Sequence, residues 1–223
     1  MTKAQTLSLR IDSRRLGILG LTSTLTILAA MLVTAIAYSG SAGESYSPLN
    51  HFISELGEIA VSRLAWVFNL SLVVGGTGLG LFLALLSGRL TARTKTAFLA
   101  FGAIAGASGT LVGVFPMDYH TLHRIVADVF FLTGWLVVGT FSLWLVRGPS
   151  TGFPRLLAAI GPVVGATSLA FVAVYSSYHP ANPDAAVANR PDLWAVPTLE
   201  WASLLSLLAW FICVSVALLR ETD

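Results

Sequence analysis

Six long apolar stretches constrain the fold of this chain more than any other feature. Each is long enough to cross about 30 Å of hydrocarbon at about 1.5 Å per helical residue. They lie at approximately 16–38, 63–87, 96–116, 122–146, 155–178 and 196–219. A helix satisfies its own backbone N–H and C=O groups inside the bilayer. The sequence therefore predicts an all-α polytopic membrane protein, a single bundle of six transmembrane helices over residues 1–223.

Composition supports this class. Of the 223 residues, 55% are hydrophobic and 11% are charged, whereas a soluble domain has about 25% charged residues. No basic stripe with interleaved aromatic residues is present, so a nucleic-acid partner is not expected. The apolar stretch from Leu16 to Tyr38 is far longer than the h-region of a signal peptide, about 7–15 residues. We interpret it as a retained first helix.

The distribution of basic residues predicts the orientation. With the N-terminus inside, three arginines lie outside, namely Arg63, Arg124 and Arg190. The cytoplasmic segments hold ten basic residues: Lys3, Arg10, Arg14, Arg15, Arg89, Arg93, Lys95, Arg147, Arg155 and Arg220. This positive-inside bias places both termini in the cytoplasm of a multi-pass protein of the cell membrane.

The same topology predicts which loops meet the outside. The two long loops, 39–62 and 179–195, lie outside, so function is to be sought on that side. Cysteine labelling should then reach positions 43 and 186 from outside and leave position 91 protected.

Small residues predict which helices are neighbours. The third stretch carries two small-residue motifs, at 102–106 and 109–113, and the second is rich in glycine at 75–80. Such positions let helix backbones approach closely in lipid. We expect these two helices to pack together, although a ligand groove is an alternative. Pro197 suits the first turn of the last helix, and Gly161-Pro162 predicts a kink in the fifth.

Three polar residues inside the predicted spans share one depth. Asn69 lies about 8 Å, Asp128 about 10 Å and Glu200 about 6 Å from the outer end of its helix. An unpaired charge in the hydrocarbon costs about 2.5–3.5 kcal/mol even on the lenient insertion scale. These three side chains are therefore expected to face one outer pocket. Glu200 needs a partner across the bundle, and the candidates are Asn69, His123, His51 or a donor on a ligand.

The start of the fourth helix carries a local charge pattern. His120, Arg124 and Asp128 fall on one helical face, and the last two have i,i+4 spacing. An intrahelical ion pair is the simplest interpretation. Arg124 is also a candidate for holding a lipid phosphate.

The first outer loop is amphipathic over 49–57. His51, Ser54, Glu55 and Glu58 follow helical spacing, and apolar residues form the opposite face. The pattern predicts a short interfacial helix on the bilayer surface. It equally fits a lid that presents His51, Ser54 and Glu55 to the pocket.

Histidines raise the question of a metal. His51, His120 and His123 all lie on the predicted outer side, as does His179, with Glu55 and Asp128 among the nearby carboxylates. Three histidines and a water suit catalytic zinc, but no dense ligand motif such as H-E-x-x-H is present. We therefore expect no cofactor and assign no metal.

Several short motifs resemble one prokaryotic family. They are Asn50-His51-Phe52-Ile53-Ser54-Glu55-Leu56-Gly57, Phe68-Asn69, Gly113-Val114-Phe115-Pro116, and His120, His123 and Phe130. The chain resembles the six-helix membrane family known as domain of unknown function 998 over nearly its whole length. It is more distantly similar to the eukaryotic Frag/DRAM/Sfk family, whose late E-W pair Glu200-Trp201 matches. The resemblance implies that Ser54, Glu55, Asn69, His123 and Glu200 belong to one site, and it favours a lipid as the ligand.

The leading functional prediction is an outer polar pocket that binds an amphiphile, most simply the headgroup of a membrane lipid. The candidate ligand-binding residues are Ser54, Glu55, Asn69, His120, His123, Arg124, Asp128 and Glu200. One alternative is a lipid hydrolase or acyl-transferring enzyme, with His51 or His123 as base and Glu55 or Asp128 as orienter. Another is a structural subunit, as a homo-oligomer or with a membrane-complex partner. A transporter is a weaker fourth alternative, because no inverted repeat is evident in the sequence.

Overall fold

The computed structural model describes residues 12–148, 152–178 and 189–221. Within them the chain is all-helical, without strands, and six helices are long and apolar enough to cross a membrane. These helices are α1 (Ser13–Ala37), α2 (Ala65–Leu86), α3 (Ala92–Val114), α4 (His120–Arg147), α5 (Ile160–Ser177) and α6 (Ala195–Arg220). Short 3₁₀ helices lie at Ile53–Gly57, Ser87–Arg89, Met117–Tyr119 and Arg155–Ala159. The predicted class, a six-helix transmembrane bundle, is confirmed.

The helices form a closed ring. Each packs against the next along the chain, and α6 packs back against α1. Helices α1 and α6 therefore bring both ends of the described chain to one end of the bundle, which we call the terminal end. There Ser13 Oγ donates to Glu221 Oε2 at 2.7 Å. The opposite end, formed by residues 38–64, 115–119 and 189–194, is called the loop end; which side of the membrane it faces stays a prediction.

Glycines bring α2 and α3 together, as predicted. A Cβ added to Gly106 would lie 2.6 Å from the Cα of Gly80, and one added to Gly76 would lie 3.0 Å from the backbone nitrogen of Thr110. Real Cβ atoms essentially never approach within 3.0 Å, so Gly106 requires glycine, and at Gly76 a Cβ would press on the backbone of α3. The close approach gives the two helices extensive contact without large side chains between them.

The fifth helix differs from its prediction. Residues 155–159 form a 3₁₀ helix, and the α-helix begins only at Ile160. Gly161 and Pro162 therefore lie in the first turn of α5 rather than at a kink within a longer helix. A proline in the first turn breaks no intrahelical hydrogen bond, so this position is a natural helix start. Pro197 lies in the first turn of α6, as predicted.

The interfacial helix predicted over 49–57 is wrong in both length and position. The structure has a five-residue 3₁₀ helix, Ile53–Gly57, that is inserted into the loop end of the bundle. Its apolar residues Ile53 and Leu56 are buried, and so are the polar side chains of His51 and Glu55. A helix lying on the bilayer surface would leave its polar face in water. We call residues 46–60 the plug segment.

Candidate ligand cavity

Two carboxylates hold the start of the 3₁₀ helix. The backbone N–H of Ile53 donates to Glu200 Oε2 of α6 at 2.7 Å, and the N–H of Phe52 donates to Glu55 Oε1 at 2.8 Å. The first N–H groups of a helix have no partner within it, and they favour a negative charge. Glu200 thus has a partner across the bundle, as expected. That partner is the backbone of the plug segment, and it is none of the predicted side chains Asn69, His123 and His51.

Other elements fasten the rest of the plug segment. Asn69 Nδ2 of α2 donates to the carbonyl oxygen of Gly57 at 2.8 Å. A Cβ at Gly57 would overlap Asn69 Oδ1, so a larger residue there would displace the Asn69 side chain from this contact. Between α3 and α4, Asp118 accepts from the backbone N–H groups of Ile59 at 2.8 Å and Ala60 at 3.3 Å. Contacts from three sides therefore fix the plug segment.

A buried ion pair joins the plug segment to the residues before α6. Arg190 Nη1 lies 3.0 Å from Glu55 Oε2 and 3.2 Å from Glu55 Oε1. Tyr38 donates from its hydroxyl to Glu55 Oε2 at 3.2 Å. The side chains of Arg190 and Glu55 are only 10% and 3% exposed. Glu55 thus acts as the charged centre of the loop end, with its oxygens already occupied by protein donors.

His51 lies in an aromatic cluster beside that pair. Its ring contacts Tyr38 and Tyr46 at centroid distances of 5.5 and 5.0 Å. Nδ1 lies 2.7 Å from Asn50 Oδ1, and Nε2 is buried without a hydrogen-bond partner in the described part of the chain. Burial lowers the pKa of His51, which Glu55 partly offsets. Burial likewise raises the pKa of both tyrosines, since it penalises the charged form.

A narrow cavity runs along the axis of the bundle below the plug segment. Its volume is about 80 Å³, and α1, α2, α3, α4 and α6 all contribute to its wall. The contribution of α2 follows one helical face, with residues Phe68, Leu72, Gly76, Leu79 and Leu83. The fifteen steps from Phe68 to Leu83, at about 1.5 Å each, give this face a length of about 22 Å. The cavity thus follows most of the hydrocarbon thickness.

Polar side chains line the cavity only at the loop end. They are Ser54 of the plug segment, His123 of α4 and Glu200 of α6. Ser54 Oγ contacts Met117 Sδ at 3.6 Å, and His123 Nδ1 lies 2.8 Å from the carbonyl oxygen of Phe115. Every other side chain on the described wall is apolar. The cavity therefore has a polar head and a long apolar tail.

The eight candidate ligand-binding residues lie in three places rather than around one cavity. Ser54, His123 and Glu200 line the cavity, whereas Asn69 and Glu55 hold the plug segment. The remaining three candidates, His120, Arg124 and Asp128, do not line it. Sequence position gave their common depth, but the direction of each side chain around its helix separates them.

Arg124 and Asp128 lie at the boundary between α4 and α5. Arg124 Nε is 3.9 Å from Asp128 Oδ2, with side chains 44% and 27% exposed. The Arg124 guanidinium carbon lies 5.1 Å from the ring centroid of Tyr175 on α5. The predicted i,i+4 pair is present, though it is long. Because the arginine also stacks on an aromatic ring, it is held in place from two sides.

The three metal candidates lie apart. His51 is inside the aromatic cluster, His123 lines the cavity and His120 is exposed. Within the described residues no group of three His, Cys, Asp or Glu side chains is placed to hold a metal ion. His179 lies outside the described residues. Among those residues, neither His51 nor His123 hydrogen-bonds to Glu55 or Asp128, the orienters of the enzymatic alternative.

Sequence reasoning missed Arg190 and Tyr38. The apolar neighbours of Glu55 predict its burial, and a buried carboxylate requires a cation. Three arginines were available on that side of the membrane, so Arg190 was one of few possible partners. No sequence signal identifies the backbone N–H of Ile53 as the partner of Glu200.

The fold and the cavity define a multi-pass helical membrane protein whose ring of helices surrounds a narrow cavity, with an inserted loop at its polar end. The chain belongs to the family described as "Protein of unknown function (DUF998)", whose model matches residues 26–217. No curated protein and no solved structure matches the chain. The more distant resemblance to the Frag/DRAM/Sfk family stays a prediction.

Proposed function

We propose that this protein binds an amphiphile in its axial cavity, with the polar head between the plug segment and α4 and the apolar chain along the bundle axis. The supporting observation is the cavity itself, about 22 Å long by helix rise and polar only at Ser54, His123 and Glu200, near the loop end. An apolar chain in such a cavity gains dispersion contacts along its whole length. The ring closes within one chain, so a second copy is not needed to complete the site.

We further propose that the head of this site faces outside the cell membrane, so that the ligand comes from the outer leaflet. The basic residues favour this orientation, since most of them lie at the terminal end. Labelling can test it, but position 43 is unsuitable because Gly43 has φ +79°, and position 186 lies outside the described residues. Ala42 and Thr91 are exposed at opposite ends of the bundle.

The orientation test uses Ala42→Cys and Thr91→Cys in a background in which Cys213 is replaced by alanine. In intact cells, an impermeant maleimide should label position 42 and leave position 91 unlabelled until the membrane is opened. Labelling of position 91 in intact cells would reverse the orientation and remove the outer-leaflet assignment.

Binding is tested by photolabelling the full chain in nanodiscs with a single-chain alcohol that carries a diazirine near the end of its chain. Crosslinks are expected on cavity residues such as Leu83 of α2 and Val137 of α4. Ala105 lines the cavity midway along α3, so Ala105→Leu should block the chain and lower this labelling at least tenfold.

Ala103→Leu is the matched control, because it makes the same change on the same helix at an exposed position. This variant should label like the wild type. Equal labelling of all three proteins, or labelling confined to outward-facing residues, would show that the cavity does not take the chain. Retained folding of Ala105→Leu is checked by its elution volume and melting temperature.

A further inference from the structure

The head of the cavity offers hydrogen-bond acceptors. His123 Nδ1 lies 2.8 Å from the carbonyl oxygen of Phe115. A carbonyl oxygen only accepts, so Nδ1 carries the proton. In the neutral imidazole the other nitrogen, Nε2, is then an acceptor. Ser54 directs its hydroxyl toward Met117 Sδ at 3.6 Å, which leaves the oxygen lone pairs available.

Glu200 adds a third oxygen to this head. Its Oε2 accepts from the N–H of Ile53, so the proton of a neutral carboxyl group would have to sit on Oε1. Oε1 makes no hydrogen bond within the described residues, and Glu200 lines the cavity. It is therefore either an acceptor or a hydroxyl. A ligand hydroxyl satisfies Glu200 in both forms, because an alcohol both donates and accepts.

No cation is available for an anionic head. The described wall of the cavity contains no lysine or arginine, and Arg124 lies between α4 and α5 against Tyr175. A phosphate placed beside Glu200 would meet a carboxyl group without a compensating charge. Desolvating such an anion costs several kcal/mol, so the head of the cavity disfavours it.

The dimensions of the cavity limit the apolar part of the ligand. The volume of about 80 Å³ is the space that the centre of a water-sized sphere can reach. Over about 22 Å this space has a radius of about 1.1 Å, and adding the sphere's own radius of about 1.4 Å gives a bore about 2.5 Å in radius, which is the width of one extended chain. The backbones of α2 and α3 touch at Gly80 and Gly106, so this side of the wall cannot move outward by exchanging a side-chain rotamer. A ring system or two parallel chains would have to separate the helices.

We propose that the ligand is a single-chain alcohol, whose hydroxyl donates to His123 Nε2 or Ser54 and pairs with Glu200. This assignment rests on the proposed binding function and narrows it to one class of lipid. The common phosphate-headed lipids of the bilayer would surround the protein without entering the cavity.

The test is competition against the diazirine alcohol at pH 8, with unlabelled probes of equal chain length. Dodecan-1-ol should compete best. Dodecyl methyl ether, which only accepts, and dodecyl phosphate, which is anionic, should each be at least tenfold weaker, a difference of about 1.4 kcal/mol. Dodecylamine is protonated at pH 8 and then only donates, so it cannot accept a hydrogen bond from a neutral Glu200 and has to leave water as an ion. It should therefore be weaker than the alcohol. Dioleoylglycerol, with the same hydroxyl on two chains, should not compete.

One variant tests whether the preference for the alcohol over the ether depends on the polar end of the cavity. His123→Leu removes an acceptor, so it should lower dodecanol affinity about tenfold and leave the ether unchanged. Ser203→Ala is the control, since Ser203 lies one turn from Glu200 on α6 but bonds to Ser168 of α5 at 2.7 Å. It should keep the wild-type ratio of alcohol to ether.

The outcomes separate this inference from the function on which it rests. If no single-chain probe competes and the cavity residues are not labelled, the binding function itself fails. If ether, phosphate or amine competes as well as the alcohol, binding stands and the alcohol assignment is overturned. The alcohol assignment is also overturned if His123→Leu melts like the wild type and keeps the same ratio of alcohol to ether affinity.

Discussion

At the terminal end of the bundle, Arg89 meets Glu221 at 3.0 Å, and the two side chains are 34% and 20% exposed. At the loop end, Arg190 meets Glu55 at the same distance, and the side chains are 10% and 3% exposed. The two contacts have the same shortest distance, but only the second is shielded from water. An exposed pair contributes about 0–1 kcal/mol, whereas loss of one partner of a buried pair costs about 3–5 kcal/mol.

This difference indicates where the molecule is built to hold a fixed arrangement. At the terminal end, the Arg89–Glu221 pair remains in partial contact with water. The loop end places carboxylates, an arginine, a histidine and two tyrosines in a shielded layer above the cavity. Buried polar groups tolerate one arrangement, because any other leaves them unpaired. The plug segment is thus a fixed wall of the site.

The largest expected effect comes from breaking the buried pair. Glu55→Gln leaves the Arg190 charge without its main partner and should lower the free energy of unfolding by about 3–5 kcal/mol. Glu221→Gln removes the exposed pair and should cost at most about 1 kcal/mol. Both are measured by denaturant titration in mixed micelles. Equal losses in the two variants would show that burial does not distinguish the ends.

Two variants of Glu200 compare the loss of a hydrogen bond with the loss of a charge at the loop end. Glu200→Ala leaves the buried N–H of Ile53 without an acceptor, which should cost about 1–3 kcal/mol. Glu200→Gln keeps an oxygen at that position and should cost less than about 1 kcal/mol. If the glutamine variant unfolds as easily as the alanine variant, then the negative charge is needed for folding, and the hydrogen bond alone is not sufficient.

Hydrophobicity and small residues were enough to predict the bundle. The six spans, the packing of α2 against α3 and the helix start at Pro197 depend on local sequence, and the structure has all of them. The plug segment was harder. Its helical spacing over 49–57 predicted an amphipathic helix, because periodicity cannot tell whether the polar face meets water or buried partners.

For the candidate site, the sequence predicted depths but could not predict side-chain directions. Asn69, Asp128 and Glu200 have similar predicted depths, yet only Glu200 lines the cavity. Depth follows from residue number and helix rise. Direction follows from the rotation of each helix about its axis, which tertiary packing sets. The cavity itself arises from several helices together, so no single segment of the sequence indicates it.

A smaller effect is expected at the boundary of α4 and α5. Neutralising Arg124 or Asp128 alone should cost about 1 kcal/mol, because the pair is 3.9 Å long and both side chains are partly exposed. The double variant, Arg124→Gln with Asp128→Asn, should recover part of the loss. A double-mutant cycle measures this coupling. If the two losses simply add, the residues are not coupled and the arginine is held by Tyr175 alone.

The smallest expected effect is a dependence of stability on pH that comes from His51. Burial lowers its pKa in the folded protein, with Arg190 contributing and Glu55 and Glu44 opposing. Below the ordinary value of about 6.5 the unfolded chain therefore binds a proton that the folded protein binds less readily. Stability should fall as the pH drops below this value. Glu58 has the opposite sign, because burial and its acidic neighbours raise its pKa.

His51→Phe isolates this contribution, because it keeps a ring against Tyr38 and Tyr46 and removes the titrating group. Between pH 8 and pH 5.5 the melting temperature of the wild type should fall further than that of the variant. The difference should be smaller than the loss caused by Glu55→Gln, because removing one partner of a buried ion pair costs more than a partial change in the protonation of one histidine. Glu58→Gln is the companion variant, because it removes a group that stabilises the folded protein at low pH. The melting temperature of this variant should fall more steeply with decreasing pH than that of the wild type. Parallel curves for wild type and His51→Phe would mean that His51 titrates alike in the folded and unfolded chains, so that its burial in the aromatic cluster carries no proton linkage.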